Sequence, residues 1–300
     1  MRKFLLISGA LFFLGSCVPE QDTLPQNPYV IEEGGRPWVI AHGGAKDLWP
    51  GNTMMAFEGA VHLDVDVLEI DMKITKDDIL VCHHDHTIDR MSEGEGELSD
   101  YTYEELLTFN FGDGFEDLDG NYPYREAFIP ICKLEDVFDS FPDMYYTVEI
   151  KDTGDRGRKA GKLLKALVEK YQLQDRMIVA SFDDETLTAF MGLDGISIPV
   201  SASQKEATRF VITAKSRTSI LFSPEAVALQ LPMEQSNLNL TTKRVIKSAH
   251  KHNMAVHYWT INDKEDMRML IENGADGLIT DRPDIMLELL EEMGFDSEFS

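Results

Sequence analysis

Three hundred residues, 43% hydrophobic and 27% charged, can build one large globular domain or two small ones. With 28 Lys and Arg against 53 Asp and Glu, the formal charge is -25. A surface of that sign repels nucleic acid and anionic lipid, which excludes a polyanionic partner; a small anionic substrate then requires a bound metal or inward-facing cations.

Arg2 and Lys3 precede the apolar run Phe4 to Phe13, which is too short to be a permanent membrane span. Leu14-Gly15-Ser16-Cys17 then places small residues directly before a cysteine, the pattern of a bacterial lipoprotein signal. Residues 1–17 are therefore expected to be a signal segment ending at a lipidated Cys17, which holds the protein at a membrane of the cell envelope. Val18 lacks the acidic side chain that retains such proteins at the inner membrane, which favours the outer membrane, facing periplasm or exterior. An ordinary secretory peptide is the alternative. Residues 18–37, rich in Pro, Gln, Asn and Glu without apolar periodicity, read as a tether. Cys82 and Cys132 lie in apolar or strand-like runs and are expected to be buried thiols.

Trp38 to Ala41 is an apolar run stopped by His42-Gly43-Gly44. Pro50-Gly51-Asn52-Thr53 signals a turn and a helix start, with Phe57, Ala60 and Val61 on one helical face. Asp66 to Met72 is the second strand. Ile79 to His84 follows after only Thr75 to Asp78, too short a link for a crossover helix, so an antiparallel arm is expected. Residues 88–133, punctuated by Gly94, Gly96, Gly112, Gly114 and Gly120, are expected as a small insertion or lid near the active end; Tyr101, Tyr103, Phe109, Phe111, Phe115 and Tyr122 offer it an apolar groove. Strand-like runs near Tyr146, Ile178, Ile198, Ala228, Val256 and Leu278 then alternate with amphipathic stretches. Setting the arm aside, eight parallel strands covered by helices describe an α/β TIM barrel over residues 38–293, with 294–300 as a tail. A doubly wound open sheet is the competitor, disfavoured because no Gly-rich dinucleotide loop follows the first strand.

Glu69 and Asp71, two apart on a strand, share one face, where adjacent carboxylates repel unless a cation neutralises them. On a barrel, His42, Glu69, Asp71, His84 and Glu149 converge at the mouth formed by the carboxyl ends of the strands. Three all-oxygen ligands favour Mg²⁺ or Ca²⁺, whereas Zn²⁺ would call for His42 or His84 as direct ligands. Beside a hard cation, two histidines suit transfer at phosphorus: one accepts the proton of the attacking oxygen and the other protonates the leaving alkoxide. A neighbouring substrate hydroxyl would attack first and give a cyclic phosphate that water opens. Against this, a single Glu-x-Asp is more often a solvated or salt-bridged face than a metal site. Lys151 reads as a phosphate contact or as the ion-pair partner of Glu149, and Trp259 as a platform for a polyol or as rim packing. Phe182 and Asp183 have weaker warrant. His83 and the remaining histidines, His62, His86, His250, His252 and His257, read as structural.

In these segments the chain resembles the glycerophosphodiester phosphodiesterase family over nearly all of residues 38–293. The resemblance is carried by Ile40-Ala41-His42-Gly43-Gly44, Pro50-Gly51-Asn52-Thr53-Met54, Leu68-Glu69-Ile70-Asp71, His83-His84-Asp85 with Asp89-Arg90, Val148-Glu149-Ile150-Lys151, Trp259-Thr260-Ile261-Asn262 and Asp276 to Pro283. It implies a TIM barrel with an inserted small domain and hydrolysis of glycerophosphodiesters to an alcohol and glycerol 3-phosphate with Mg²⁺ or Ca²⁺. It also implies catalysis by His42 and His84, metal ligation by Glu69, Asp71 and Glu149, Lys151 near the phosphate, and a cyclic intermediate. Two positions depart from the family pattern: Gly43 stands where an arginine is usual and Gly51 where a glutamate is usual. Loss of that bidentate clamp leaves Lys46, Lys73 or Lys151 to supply the charge, or shifts the preferred headgroup, with reduced activity on simple diesters. A lysophospholipase D-like substrate range and a non-catalytic lipoprotein that binds a phosphorylated polyol are the alternative readings.

Overall fold

The computed structural model describes residues 27–295, and the expected signal segment with Cys17 lies outside them. The elements follow in the order β1 (Trp38–Ala41), α1 (Met54–His62), β2 (Val67–Ile74), β3 (Leu80–Cys82), α2 (Tyr103–Leu106), α3 (Leu134–Ser140), β4 (Tyr145–Ile150), α4 (Gly154–Tyr171), β5 (Met177–Ala180), α5 (Asp184–Met191) and α6 (Gln204–Ser216). After these come β6 (Ala228–Leu231), β7 (Glu234–Gln235), β8 (Leu238–Asn239), α7 (Lys243–His250), β9 (Ala255–Tyr258), α8 (Lys264–Asn273), β10 (Gly277–Thr280) and α9 (Pro283–Glu292). The parallel strands run β5-β4-β2-β1-β10-β9-β6, and β3 lies antiparallel on β2 as the short link requires.

The barrel has seven full parallel strands where eight were expected. The segment at Ile198 closes the gap between β5 and β6 with isolated bridges only, Val179 to Val200 and Ser201 to Ala228. Pro199 explains the shortfall: it has no amide hydrogen to give to a ladder, although its carbonyl still accepts from Val179 N at 2.9 Å.

Alternation along the strands sorts side chains into two layers. Leu68, Ile70, Met72, Val148 and Ile150 join Leu164, Val168, Phe190 and Leu289 of the surrounding helices in the main core. The opposite faces fill the barrel interior with Trp38, Ile40, Val67 and Ile279 low down and the carboxylates of β2 and β4 above them.

The stretch expected to be a tether is packed from Asn27 onward. Tyr29 is buried with Ile178, Ala228 and Ala255, residues at the amino ends of their strands, and its ring lies 6.2 Å from that of Trp38. Asn27 Nδ2 donates to the carbonyls of Val227 and Asn253 at 2.7 and 2.9 Å, and Ile31 N donates to Asp276 Oδ1 at 2.7 Å. Residues 27–31 thus plug the bottom of the barrel, opposite the mouth. The insertion has a core of its own, in which Val81, Ile88, Leu98, Leu106, Phe111 and Ile131 pack together with Tyr101, Tyr103 and Phe109 alongside. Cys82 and Cys132 are free and buried.

Candidate active site

His42 opens a short turn at the end of β1 whose shape depends on glycine. Gly43 and Gly44 have φ of 52° and 78°, and a Cβ on Gly44 would lie 2.8 Å from the backbone carbon of Ala56. The turn aims Gly43 N at Glu69 Oε2, 2.8 Å away. Thr53 caps α1 by accepting from Ala56 N at 3.3 Å, which fixes Asn52 just before it. Asn52 grips Asp71 twice: Nδ2 donates to Oδ2 at 2.8 Å, and Oδ1 accepts from the Asp71 amide at 3.0 Å.

Glu69, Asp71 and Glu149 each offer an oxygen, all within 4.8 Å of one another. Glu69 and Asp71 are 5% and 1% exposed. Asp71 Oδ1 is buried without a hydrogen-bond partner, and its 3.1 Å approach to Lys151 Nζ is an ion pair outside hydrogen-bonding geometry. An orphaned oxygen within an all-oxygen donor set fits a hard divalent cation. Lys151 also pairs with Glu149 at 2.9 Å, and Lys46 with Asp71 at 3.3 Å.

The electrostatics follow from three acids facing two ammonium groups. Burial pushes the Glu69 carboxyl up, and the adjacent Asp71 charge adds to the shift. Burial also pushes Glu149 up, to about 7, against the pull of Lys151. Asp71 is held well below the usual carboxylate range because Lys46, Lys151 and the two histidines together outweigh its burial. The site therefore crowds negative charge that its lysines only partly offset.

Both histidines are held through Nδ1 by a carboxylate. His42 Nδ1 meets Asp281 Oδ1 at 2.6 Å, and Asn262 Nδ2 holds the other Asp281 oxygen at 2.8 Å. His84 Nδ1 meets Asp85 Oδ1 at 2.7 Å, and Arg90 Nε holds Asp85 Oδ2 at 2.6 Å. Burial lowers the His42 pKa, yet Glu69 and the bond to Asp281 outweigh it and leave the value raised. His84 is lowered, by burial first, with Asp71 opposing.

The turn also makes room for Lys46. A Cβ on Gly43 would lie 2.4 Å from Lys46 Cε, and one on Gly51 would lie 2.5 Å from Lys46 Cγ. The lysine stem thus occupies the volume that side chains at positions 43 and 51 would need.

His42, Glu69, His84, Glu149, Lys151 and Trp259 line one cavity of about 750 Å³, and Asp71 stands beside them in the carboxylate cluster. Phe182 lines the same cavity, edge-on to Trp259 with centroids 5.7 Å apart, whereas Asp183 caps α5. Of the lysines expected to supply charge, Lys73 lies elsewhere, 3.6 Å from Asp152. His83 contacts the Thr87 carbonyl at 2.9 Å, His257 is buried, and neither lines this cavity. None of the insertion's aromatic residues lines this cavity among the described residues, which overturns the expectation that they wall a groove. Asn52, Asn262 and Asp281 were present in the quoted motifs without a role; their partners are distant in sequence, and only folding reveals them.

Comparison with known proteins agrees with this arrangement. Residues 42–285 match the model of the glycerophosphoryl diester phosphodiesterase family. A glycerophosphodiester phosphodiesterase of Bacillus altitudinis is 28% identical over 261 residues, covering 85% of this chain and 98% of the relative. One from Caldanaerobacter subterraneus subsp. tengcongensis is 30% identical over 265 residues, with the same two coverages. Among solved structures, an Oleispira antarctica phosphodiesterase in complex with the product sn-glycerol-3-phosphate superposes with a TM-score of 0.69 at 20% identity, covering 85% of this chain and 97% of that one. The chain belongs to the glycerophosphoryl diester phosphodiesterase family.

Proposed function

We propose that this site hydrolyses glycerophosphodiesters to an alcohol and sn-glycerol 3-phosphate, with Mg²⁺ or Ca²⁺ held by Glu69, Asp71 and Glu149. The observation that carries the reading is the cluster of three carboxylates beside two histidines, each oriented by its own acid. When bound, the cation supplies electrostatic stabilisation to the charge that builds on the nonbridging phosphate oxygens. Asp281 and Asp85 fix the rings of His42 and His84 through Nδ1; Nε2 of His84 faces proton transfer directly, and that of His42, now 2.8 Å from Lys46 Nζ, does so once Lys46 turns to the phosphate. One ring accepts the proton of the attacking glycerol 2-hydroxyl and the other protonates the leaving alkoxide; water then opens the cyclic phosphate. Lys46 and Lys151 now neutralise Asp71 and Glu149. Once those acids hold a cation, both ammonium groups are free to turn to the phosphate, in place of the clamp that Gly43 removes.

A coupled assay for glycerol 3-phosphate released from glycerophosphocholine tests this, with EDTA and add-back of each metal. Turnover that is lost on chelation and restored by Mg²⁺ or Ca²⁺ supports the proposal; full turnover in EDTA refutes the cation role.

We also propose anchoring through lipid on Cys17, on the strength of the Leu14 to Cys17 motif. Asn27, the first described residue, sits at the plugged end of the barrel, opposite the mouth. Retention of a Cys17→Ser variant in the membrane fraction would refute the anchor.

A further inference from the structure

Cys82 and Cys132 take no part in the proposed reaction, yet they stand at the two ends of the insertion. Cys82 is the last residue of β3, on the arm that leads to His84, and Cys132 lies where the chain returns toward α3. Val81 and Lys133 form an antiparallel bridge, which sets Cys82 and Cys132 opposite each other one step along. The Cys82 amide donates to the Cys132 carbonyl at 3.0 Å. Residues opposed in this way have Cα atoms about 5.5 Å apart, inside the ~4.4–6.8 Å range that a disulfide spans. Both side chains point the same way: they pack in the main core, whereas Val81 packs in the core of the insertion.

The surroundings bear on when such a bond can form and what it would hold. Burial pushes the Cys82 thiol up, and the adjacent Cys132 thiol adds to the shift, so the folded chain keeps Cys82 in its unreactive form. Oxidation therefore belongs to folding, before the core closes over the pair. Cys132 Sγ also lies 3.6 Å from the carbonyl of Asn52, the residue that grips Asp71. A bridge here would tie together the arm carrying His84, the return of the insertion and the loop beside the carboxylates.

We infer that Cys82 and Cys132 form a disulfide when the chain folds in an oxidising compartment, closing the stem of the insertion. The inference goes beyond the diesterase reading and takes from the proposed export only the compartment. The oxidant is a small-molecule or protein disulfide. One cysteine thiolate displaces one of its sulfurs to give a mixed disulfide, and the second cysteine attacks the first at sulfur. The new S–S bond forms, and the oxidant departs as two thiols carrying the two protons. The closed loop contains the whole insertion, so the bond stabilises chiefly by restricting the unfolded chain.

The test uses the full chain with Cys17→Ser, which leaves Cys82 and Cys132 as its only cysteines. Protein unfolded in reductant is refolded in reduced and oxidised glutathione, treated with N-ethylmaleimide in denaturant and digested with trypsin without reduction. The expected product joins peptide 77–90 to peptide 126–133, with neither cysteine labelled. Protein refolded in reductant instead should melt lower by roughly 5–10 °C, and Cys82→Ala with Cys132→Ala should melt alike after either treatment. Label on both cysteines after refolding in glutathione overturns the bridge. A joined pair of peptides with unchanged melting overturns its role as a staple. No readout involves substrate, so failure of the diesterase reading would leave these results untouched.

Discussion

Lys46 Nζ lies 2.8 Å from His42 Nε2 and 3.3 Å from Asp71 Oδ2, linking a proposed catalytic ring to a proposed metal ligand. Its stem fills the space beside Gly43 and Gly51, and the proposed role for it is to supply charge to the phosphate. Lys46→Met is expected to lower kcat/KM on glycerophosphocholine by ~10²-fold, the loss of about 3 kcal/mol of transition-state stabilisation, in a protein that still folds. Kinetics within twofold of wild type would contradict the assignment.

The steric half of that relationship can be tested apart from catalysis. Gly51→Ala should destabilise by about 1–2 kcal/mol, because its Cβ meets the Lys46 stem, and the cost should largely vanish in a Lys46→Ala background. Additive losses in a denaturant double-mutant cycle would show that the stem runs elsewhere.

Asp281 raises the His42 pKa, through both its hydrogen bond and its charge. Asp281→Asn removes the charge, so the His42 pKa falls, and the limb of the kcat/KM profile that reports His42 should move to lower pH. Activity should also drop, because the ring loses its orientation. An unmoved profile would separate Asp281 from the titrating group.

Glu149 makes stability depend on pH with a definite sign. Its carboxyl rises from an ordinary 4.5 to about 7, so the folded protein holds a proton that the unfolded chain has lost between those values. The contribution of this group is intact below pH 4.5 and is lost as pH rises toward 7, on the order of 3 kcal/mol in EDTA. Cation binding at pH 6 should expel roughly one proton, visible by calorimetry in buffers of different ionisation enthalpy. Equal proton release by wild type and Glu149→Gln would disprove this.

The barrel was legible because its strands and helices are punctuated locally, and the arm because four residues cannot span a crossover. The strand expected near Ile198 was overread, since alternation alone ignores the donor that Pro199 lacks. The plug escaped notice because Asn27 and Tyr29 sit in aperiodic sequence and are held by residues near 227, 253 and 276. Glu69 and Asp71 announced themselves by spacing. Asn52 and Asp281 did not, because their roles consist of bonds to partners 19 and 239 residues away. The insertion's aromatic side chains looked available for a groove, but a segment of that length needs a core of its own and consumes most of them.

Three carboxylates from two neighbouring strands are proposed to hold one catalytic cation. Anomalous diffraction from crystals soaked in Mn²⁺, a stand-in for Mg²⁺, addresses it most directly. The expected result is a single strong peak between Glu69, Asp71 and Glu149, at ~2.0–2.3 Å from their oxygens, that disappears in Glu69→Ala together with glycerol 3-phosphate release. Full turnover in crystals or solution with no peak among those three side chains would contradict it.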